Sequence, residues 1–214
     1  MNYRLYEKMK GVNIDFIQYA FANMGYAFFT KGHYNLNIFG VRANEKKANY
    51  FDDVLAQVYK DDKDKWVIDL FRATTDPGKA TLKNPSLYAD PGKGTAIYVP
   101  GQYRGVYKIG MHRGKYKALK LDGKIKVYRD SNKDEILDFD PKTIEEGNFG
   151  CNIHHAGEDS AVVETWSAGC QVIKSMKEWN RFMATVYKCA DAWSGRDKER
   201  FTYTLFTEDE FFCK

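Results

Sequence analysis

The sequence predicts an α+β protein with an N-terminal helical lobe, a mostly β second region and a C-terminal helix. Three observations carry this. Apolar residues recur at helical spacing near both ends, short alternating runs separated by turn residues fill the middle, and 43% of the 214 residues are apolar, with 15% aromatic. A chain of that composition can bury a sizeable core and is not disordered.

The first helix comes from "NIDFIQYAFANMG", which puts Ile14, Ile17, Phe21 and Met24 on one face, with Gly25 as the stop. A second helix is expected over 47–59, with Phe51, Val54, Leu55 and Val58 as its stripe. These two define a helical lobe over residues 1–62, leaving 63–214 as the β-rich domain. From Trp66 the pattern shortens to "WVIDLF", the turn "TTDPGK" and then "GTAIYVP". "KYKALKLDGKIKVYRD" has an Asp-Gly pair between alternating segments, which predicts a hairpin. "FGCNIH" and "GCQVI" read as strands. "SMKE" then opens a helix as a capping box, with Trp179, Met183, Val186, Ala190 and Trp193 on its buried side. "FTYTLF" is the last strand.

Charge is unevenly distributed. Residues 101–130 hold nine Lys or Arg and two acids, a local +7 in a chain whose net charge is +4. That suits an anionic partner or a solvated basic face of a strand pair. A nucleic-acid module would stack bases on Tyr103, Tyr107, Tyr116 and Tyr128, but nucleic acid is disfavoured as the partner. No apolar run approaches the ~20 residues that span a bilayer. With no leader pattern after Met1, the expectation is synthesis in the cytoplasm without a signal peptide. Cys151, Cys170, Cys189 and Cys213 are irregularly spaced, which predicts reduced thiols rather than a disulfide framework.

Two of the four histidines and one of these cysteines lie close together in 152–173, with Cys170 sixteen residues after His154. Strand alternation sends Phe149, Cys151 and Ile153 to the core, and Asn152 and His154 to the opposite face. Cys170 follows Ser167, Ala168 and Gly169. A thiol beside an imidazole is activated by proton transfer, and backbone N–H groups around Gly169 and Cys170 could hold an oxyanion. Asn152, Ser167 or a backbone carbonyl could orient the imidazole. A zinc set of Cys151, His154, His155 and Cys170 is disfavoured, because adjacent strand residues point to opposite faces. "DSNKDE" has alternating oxygen ligands but lacks the glycine and the terminal glutamate of a calcium loop. No cofactor or metal is expected.

The order His before Cys and the pattern "IH…S-x-G-C" resemble the L,D-transpeptidase catalytic domain, the YkuD-like fold. "LFRATTDPGK" looks like that family's strand and Thr-Pro-x-Gly turn, with Asp76 inserted after Thr75. "YNLNIFGVR" and "GTAI…PGQYRG" are similar to phage-encoded proteins. The resemblance implies a YkuD-like catalytic domain in which Cys170 is the nucleophile, His154 the base, and Ser167 and Gly169 the cysteine turn. Ala168 stands where the family often has His, and Gln171 where it has Arg or Asn. Gln171, Asn152, His112, Tyr116 and Arg104 are the candidate substrate contacts, and the predicted hairpin takes the place of the substrate lid. The implied partner is the peptidoglycan stem peptide. The implied activity is cysteine-dependent acyl transfer, and the lack of an export-signal pattern favours its hydrolytic, lysin-like form, acting on the cell wall after lysis or phage delivery. Cross-linking by the same thioester is the alternative.

Overall fold

The computed structural model describes residues 3–87 and 92–213. Two helices, Arg4–Lys10 (α1) and Ile14–Asn23 (α2), come first, and the Asn13 side chain caps α2 by accepting the Phe16 N–H at 2.9 Å. Strands Asn37–Arg42 (β1), Asp53–Lys60 (β2) and Trp66–Thr74 (β3) follow, then a short helix Lys79–Lys83 (α3). Thr95–Tyr98 (β4), Gly101–His112 (β5), Tyr116–Leu121 (β6), Ile125–Asp130 (β7), Glu145–Gly147 (β8), Ile153–His155 (β9) and Gln171–Ile173 (β10) make the middle of the chain. Met176–Ala192 (α4), Phe201–Thr207 (β11) and Glu208–Phe212 (α5) complete it. The protein is α+β.

Among the described residues eight strands close a barrel in the order β1-β11-β5-β6-β9-β10-β3-β2, and β4, β7 and β8 form a separate sheet. The β1–β11 and β9–β10 pairs are parallel. Closure removes sheet edges and forces each strand to pack on both faces. One cluster joins Leu55, Phe71, Leu119, Ile153 and Ile173 to Trp179, Phe182, Met183 and Val186 of α4. A second lies on the opposite face of β1 and β2, where Phe39, Val41, Val54, Ala56 and Val58 meet Leu5, Met9, Ile17 and Phe21 of α1 and α2. Each buried Leu or Phe contributes about 1.5–3 kcal/mol.

This double burial corrects the expected helix over 47–59. Leu55 and Tyr59 enter one cluster while Val54, Ala56 and Val58 enter the other, so β2 is apolar on both faces. A strand buried on both faces has no clean alternation, and its apolar residues fall by chance at helical spacing. The segment 1–62 is therefore helical only in its first part. Its second part supplies β1 and β2, and the boundary at 62/63 falls in the turn between the paired strands β2 and β3.

The Asp-Gly hairpin is corrected too. β6 pairs with β5 and β9, while β7 pairs with β4 and β8 in the other sheet. The N–H groups of Asp122 and Gly123 both donate to the Val106 carbonyl, so this turn passes the chain between sheets. The true hairpin is β5–β6, turning where Arg113 and Gly114 both have positive φ and Lys115 N–H donates to the His112 carbonyl at 2.9 Å.

Ser175 caps α4 by accepting the Glu178 N–H at 3.3 Å, and Trp179, Met183, Val186 and Ala190 are buried as expected. Trp193 is not, being 50% exposed just past the helix end. Tyr107 is fully buried, Tyr103 packs edge-on against Tyr98 and Tyr128 against Phe139, so these rings are spent on packing rather than laid out as stacking steps. The four cysteines form no disulfide. Among the described residues no helix is long and apolar enough to cross a membrane.

Candidate active site

The β9–β10 pair builds the site. Its register sets Gln171 beside Ile153, Val172 beside His154 and Ile173 beside His155. Alternation then turns Ile153, Gln171 and Ile173 inward and places Asn152, His154, Cys170 and Val172 on the other face. Cys170 and His154 stand on diagonal positions, with Cα atoms about 8 Å apart from strand spacing and rise. Sequence neighbours 16 apart are thus brought onto one face by a parallel pairing.

His154 is held by its backbone. Its Nδ1 lies 2.8 Å from the His155 carbonyl, which can only accept, so Nδ1 carries the proton. The Tyr116 hydroxyl sits 3.2 Å from the same nitrogen and donates to the same carbonyl at 3.4 Å. That tautomer leaves Nε2 as a bare acceptor, and Nε2 is buried with no hydrogen-bond partner among the described residues. The His112 ring stacks on His154 with centroids 4.0 Å apart. Asn152 fixes His112 in turn. Its Oδ1 accepts the Leu121 N–H at 2.9 Å, so its Nδ2 is the donor to His112 Nδ1 at 3.1 Å.

Burial, then the neighbouring His112, pushes His154 down to about 3. Burial, then the Arg113 charge, pushes His112 down to about 4, and burial also lowers His155. All three imidazoles are neutral at pH 7. A folded pKa below the unfolded value of about 6.5 means the unfolded chain binds more protons as pH falls. The stability His154 carries is present above pH 6.5 and lost as pH drops toward 3. By pH 5 that loss is about 2 kcal/mol. Urea denaturation should therefore show wild type losing about 2 kcal/mol more than His154→Gln between pH 7 and 5. Equal losses in the two proteins would contradict the buried, neutral imidazole.

Cys170 sits at the end of a turn locked from below. Ser167 Oγ donates to the Cys170 carbonyl at 2.8 Å and accepts the Gly169 N–H at 3.2 Å. The Ser167 carbonyl accepts from Gly78 N–H at 2.9 Å and Thr81 Oγ1 at 2.8 Å, tying the turn to the loop after β3. That loop is itself pinned: Asp53 accepts from Thr75 N and Oγ1, and Arg42 bonds the Thr75 carbonyl and lies 2.8 Å from Asp76. Gly169 has φ +115°, and a Cβ there would lie 2.7 Å from the Ala96 carbonyl oxygen. Gly169→Ala is expected to cost more than about 3 kcal/mol in urea denaturation, by backbone strain and clash together; a loss under about 1 kcal/mol would contradict this packing.

The sulfur packs beside Phe51, Ala156, Val163 and Val172 and donates to the Gly150 carbonyl at 3.8 Å. Crowding by these atoms pushes the thiol up to about 11, although the residue keeps partial exposure; the Asn152 backbone N–H facing the sulfur and the Arg113 charge act the other way. The resting pair is a thiol and a neutral imidazole, with no hydrogen bond joining Cys170 to His154 among the described residues.

The structure thus brings together Cys170, His154, Asn152, His112 and Tyr116, with Ser167 and Gly169 shaping the turn. Two candidates fall elsewhere. Gln171 is fully buried, accepting from Tyr203 Oη at 2.7 Å and donating to the Thr75 carbonyl, because its place in the alternation faces the barrel interior. Arg104 lies over the Phe29 ring, eight residues from His112 along the extended β5, a span of about 27 Å. The Gly169 N–H is taken by Ser167 Oγ, whereas the Cys170 N–H has no partner among the described residues and is free to meet a ligand.

Sequence reasoning missed Arg113, whose charge acts on Cys170, His112, His154 and Tyr116 from the β5–β6 turn. Reading the hairpin at Arg113-Gly114 instead of Asp122-Gly123 would have placed it. The orienting carbonyl of His155 carries no sequence signal. Among the described residues no three His, Cys, Asp or Glu side chains converge as a metal set. No protein-family model, curated protein or solved structure matches the chain.

Proposed function

We propose that the protein is a cysteine acyl-transfer enzyme acting on peptidoglycan stem peptides, in a YkuD-like catalytic domain, and that its usual acceptor is water. The observation that carries the reading is the His154 ring. Its Nδ1–H is anchored on a backbone carbonyl, and its Nε2 lone pair is left unpaired on the face that also holds the only partly exposed thiol of the cluster. A buried acceptor without a partner is costly, and such groups gather where a proton is to be received.

In this reading the Cys170 side chain turns from the Gly150 carbonyl toward His154, a single χ1 change. The thiol proton passes to Nε2 as sulfur attacks the scissile carbonyl. Negative charge on the former carbonyl oxygen is held by the Cys170 N–H, a donor worth about 3 kcal/mol to the transition state. Collapse breaks the C–N bond, the imidazolium returns its proton to the leaving amine, and a thioester remains. Water, deprotonated by His154, then releases the acid and restores the thiol. An amine in place of water would give a cross-link. His112 and Tyr116 position the ring. The His before Cys order and the "S-x-G-C" turn support the wall-peptide substrate.

Mass spectrometry of purified muropeptides incubated with the protein tests this. Loss of a terminal amino acid or splitting of a cross-link supports hydrolysis, and a new cross-link supports the amine acceptor. Unchanged muropeptides would count against the wall-peptide substrate.

A further inference from the structure

Trp193 was expected in the core and is half exposed, yet its ring and backbone make three separate contacts. Its indole Nε1–H donates to the His33 carbonyl at 3.0 Å. Its own backbone N–H bonds the last turn of α4 at Cys189 and Ala190. The ring lies so close to Gly32 that a Cβ there would be 2.7 Å from Cζ2, and the positive φ of +79° at Gly32 makes this approach possible. An exposed aromatic ring fixed by three separate contacts is a preformed surface, not a loosely packed side chain.

The ring stands between two depressions whose linings mix polar rims with apolar side chains. On one side a depression of about 600 Å³ is lined by Tyr34, Asp62, Lys188 and Asp191. Tyr34 stacks on Tyr59, and its hydroxyl donates to Asp62 at 2.7 Å. Asp191 forms a two-pronged pair with Arg196, and Lys188 stands over the Tyr34 ring at 5.7 Å. On the other side of Trp193 a second depression of about 220 Å³ is lined by Asn35, Ser194, Glu199, Arg200 and Thr202 and by apolar Phe29, Leu36, Cys189 and Phe201, the last three buried. The indole is therefore a ridge between two concavities rimmed by amides, hydroxyls and paired charges.

This lining selects among ligands. A docking helix or strand needs a continuous exposed apolar stripe, whereas here Leu36, Cys189 and Phe201 are buried and Trp193 is the large apolar side chain left exposed in these linings. A nucleic acid needs an excess of cations, whereas Asp62, Asp191 and Glu199 offset Lys188, Arg196 and Arg200. A cationic ligand would meet carboxylates already satisfied by Tyr34 and Arg196. A pyranose has apolar C–H faces and a rim of hydroxyls, which matches an aromatic face flanked by fixed donors and acceptors. We infer that the Trp193 ridge binds a neutral oligosaccharide, with one sugar ring stacked on the indole and its neighbours lying in the two depressions. The inference does not depend on the acyl-transfer reading.

The probes are the β-1,4-linked tetramers of N-acetylglucosamine and of glucose, titrated into the full chain by calorimetry. In parallel, the Trp193 indole Nε1–H resonance is followed by NMR and assigned with Trp193→Phe. At least one tetramer is expected to bind saturably with a Kd of about 1 mM or tighter and to shift the Trp193 resonance. Trp193→Ala should weaken binding at least tenfold and Trp193→Phe by less, while Cys170→Ala should bind like wild type. Absence of saturable binding by either tetramer to about 10 mM, or equal binding by wild type and Trp193→Ala, would overturn the inference. So would binding that leaves the Trp193 resonance unmoved.

Discussion

Cys170→Ala is expected to abolish turnover of muropeptides while leaving the fold within about 1–2 kcal/mol of wild type. In the proposed mechanism the sulfur is the atom that forms the thioester, so its removal should make the loss complete rather than graded. Stability changes little because the residue is only partly buried and the contact its thiol donates to the Gly150 carbonyl, at 3.8 Å, is long. The other cysteines serve as controls. Cys189 is buried on α4 and Cys213 is exposed at the end of α5. Cys213→Ser should keep full activity. If Cys170→Ala still turned over substrate at the wild-type rate, the nucleophile would be misassigned.

His154→Ala should lower the rate by about two to four orders of magnitude, the range for a lost general base. The effect is large because the Cys170 thiol is pushed up to about 11, so at pH 7 the thiolate is scarce without a base to take the proton. The residual rate of the variant should rise about tenfold per pH unit between pH 7 and 10, as the thiolate fraction grows. Wild type, whose neutral His154 needs no prior titration above its value of about 3, should be nearly flat over the same interval. A variant as fast as wild type, or one with the same flat profile, would remove His154 from the mechanism.

Much of this was legible in the sequence where the local signal and the tertiary environment agree. α2 announces itself by apolar periodicity, α4 by apolar periodicity and the Ser175 cap, and β3 and β11 by apolar runs between turns. β2 was misread because the closed barrel buries both of its faces, which erases the alternation. The Asp-Gly turn was misread because β6 finds its partners in β5 and β9, a choice made by long-range pairing. The site divides in the same way. Alternation alone placed His154 and Asn152 opposite Ile153. It could not show that Gln171 meets Tyr203 across the barrel, or that Ser167 takes the Gly169 N–H, because both depend on how distant strands close.

The most direct measurement is to trap the acyl-enzyme. Wild-type protein mixed with purified muropeptides, quenched in acid within seconds and digested, should yield the Cys170-containing peptide carrying a stem-peptide mass, released by hydroxylamine and absent from Cys170→Ala. Muropeptides processed with the Cys170 peptide never modified, or an adduct on another residue, would contradict the account.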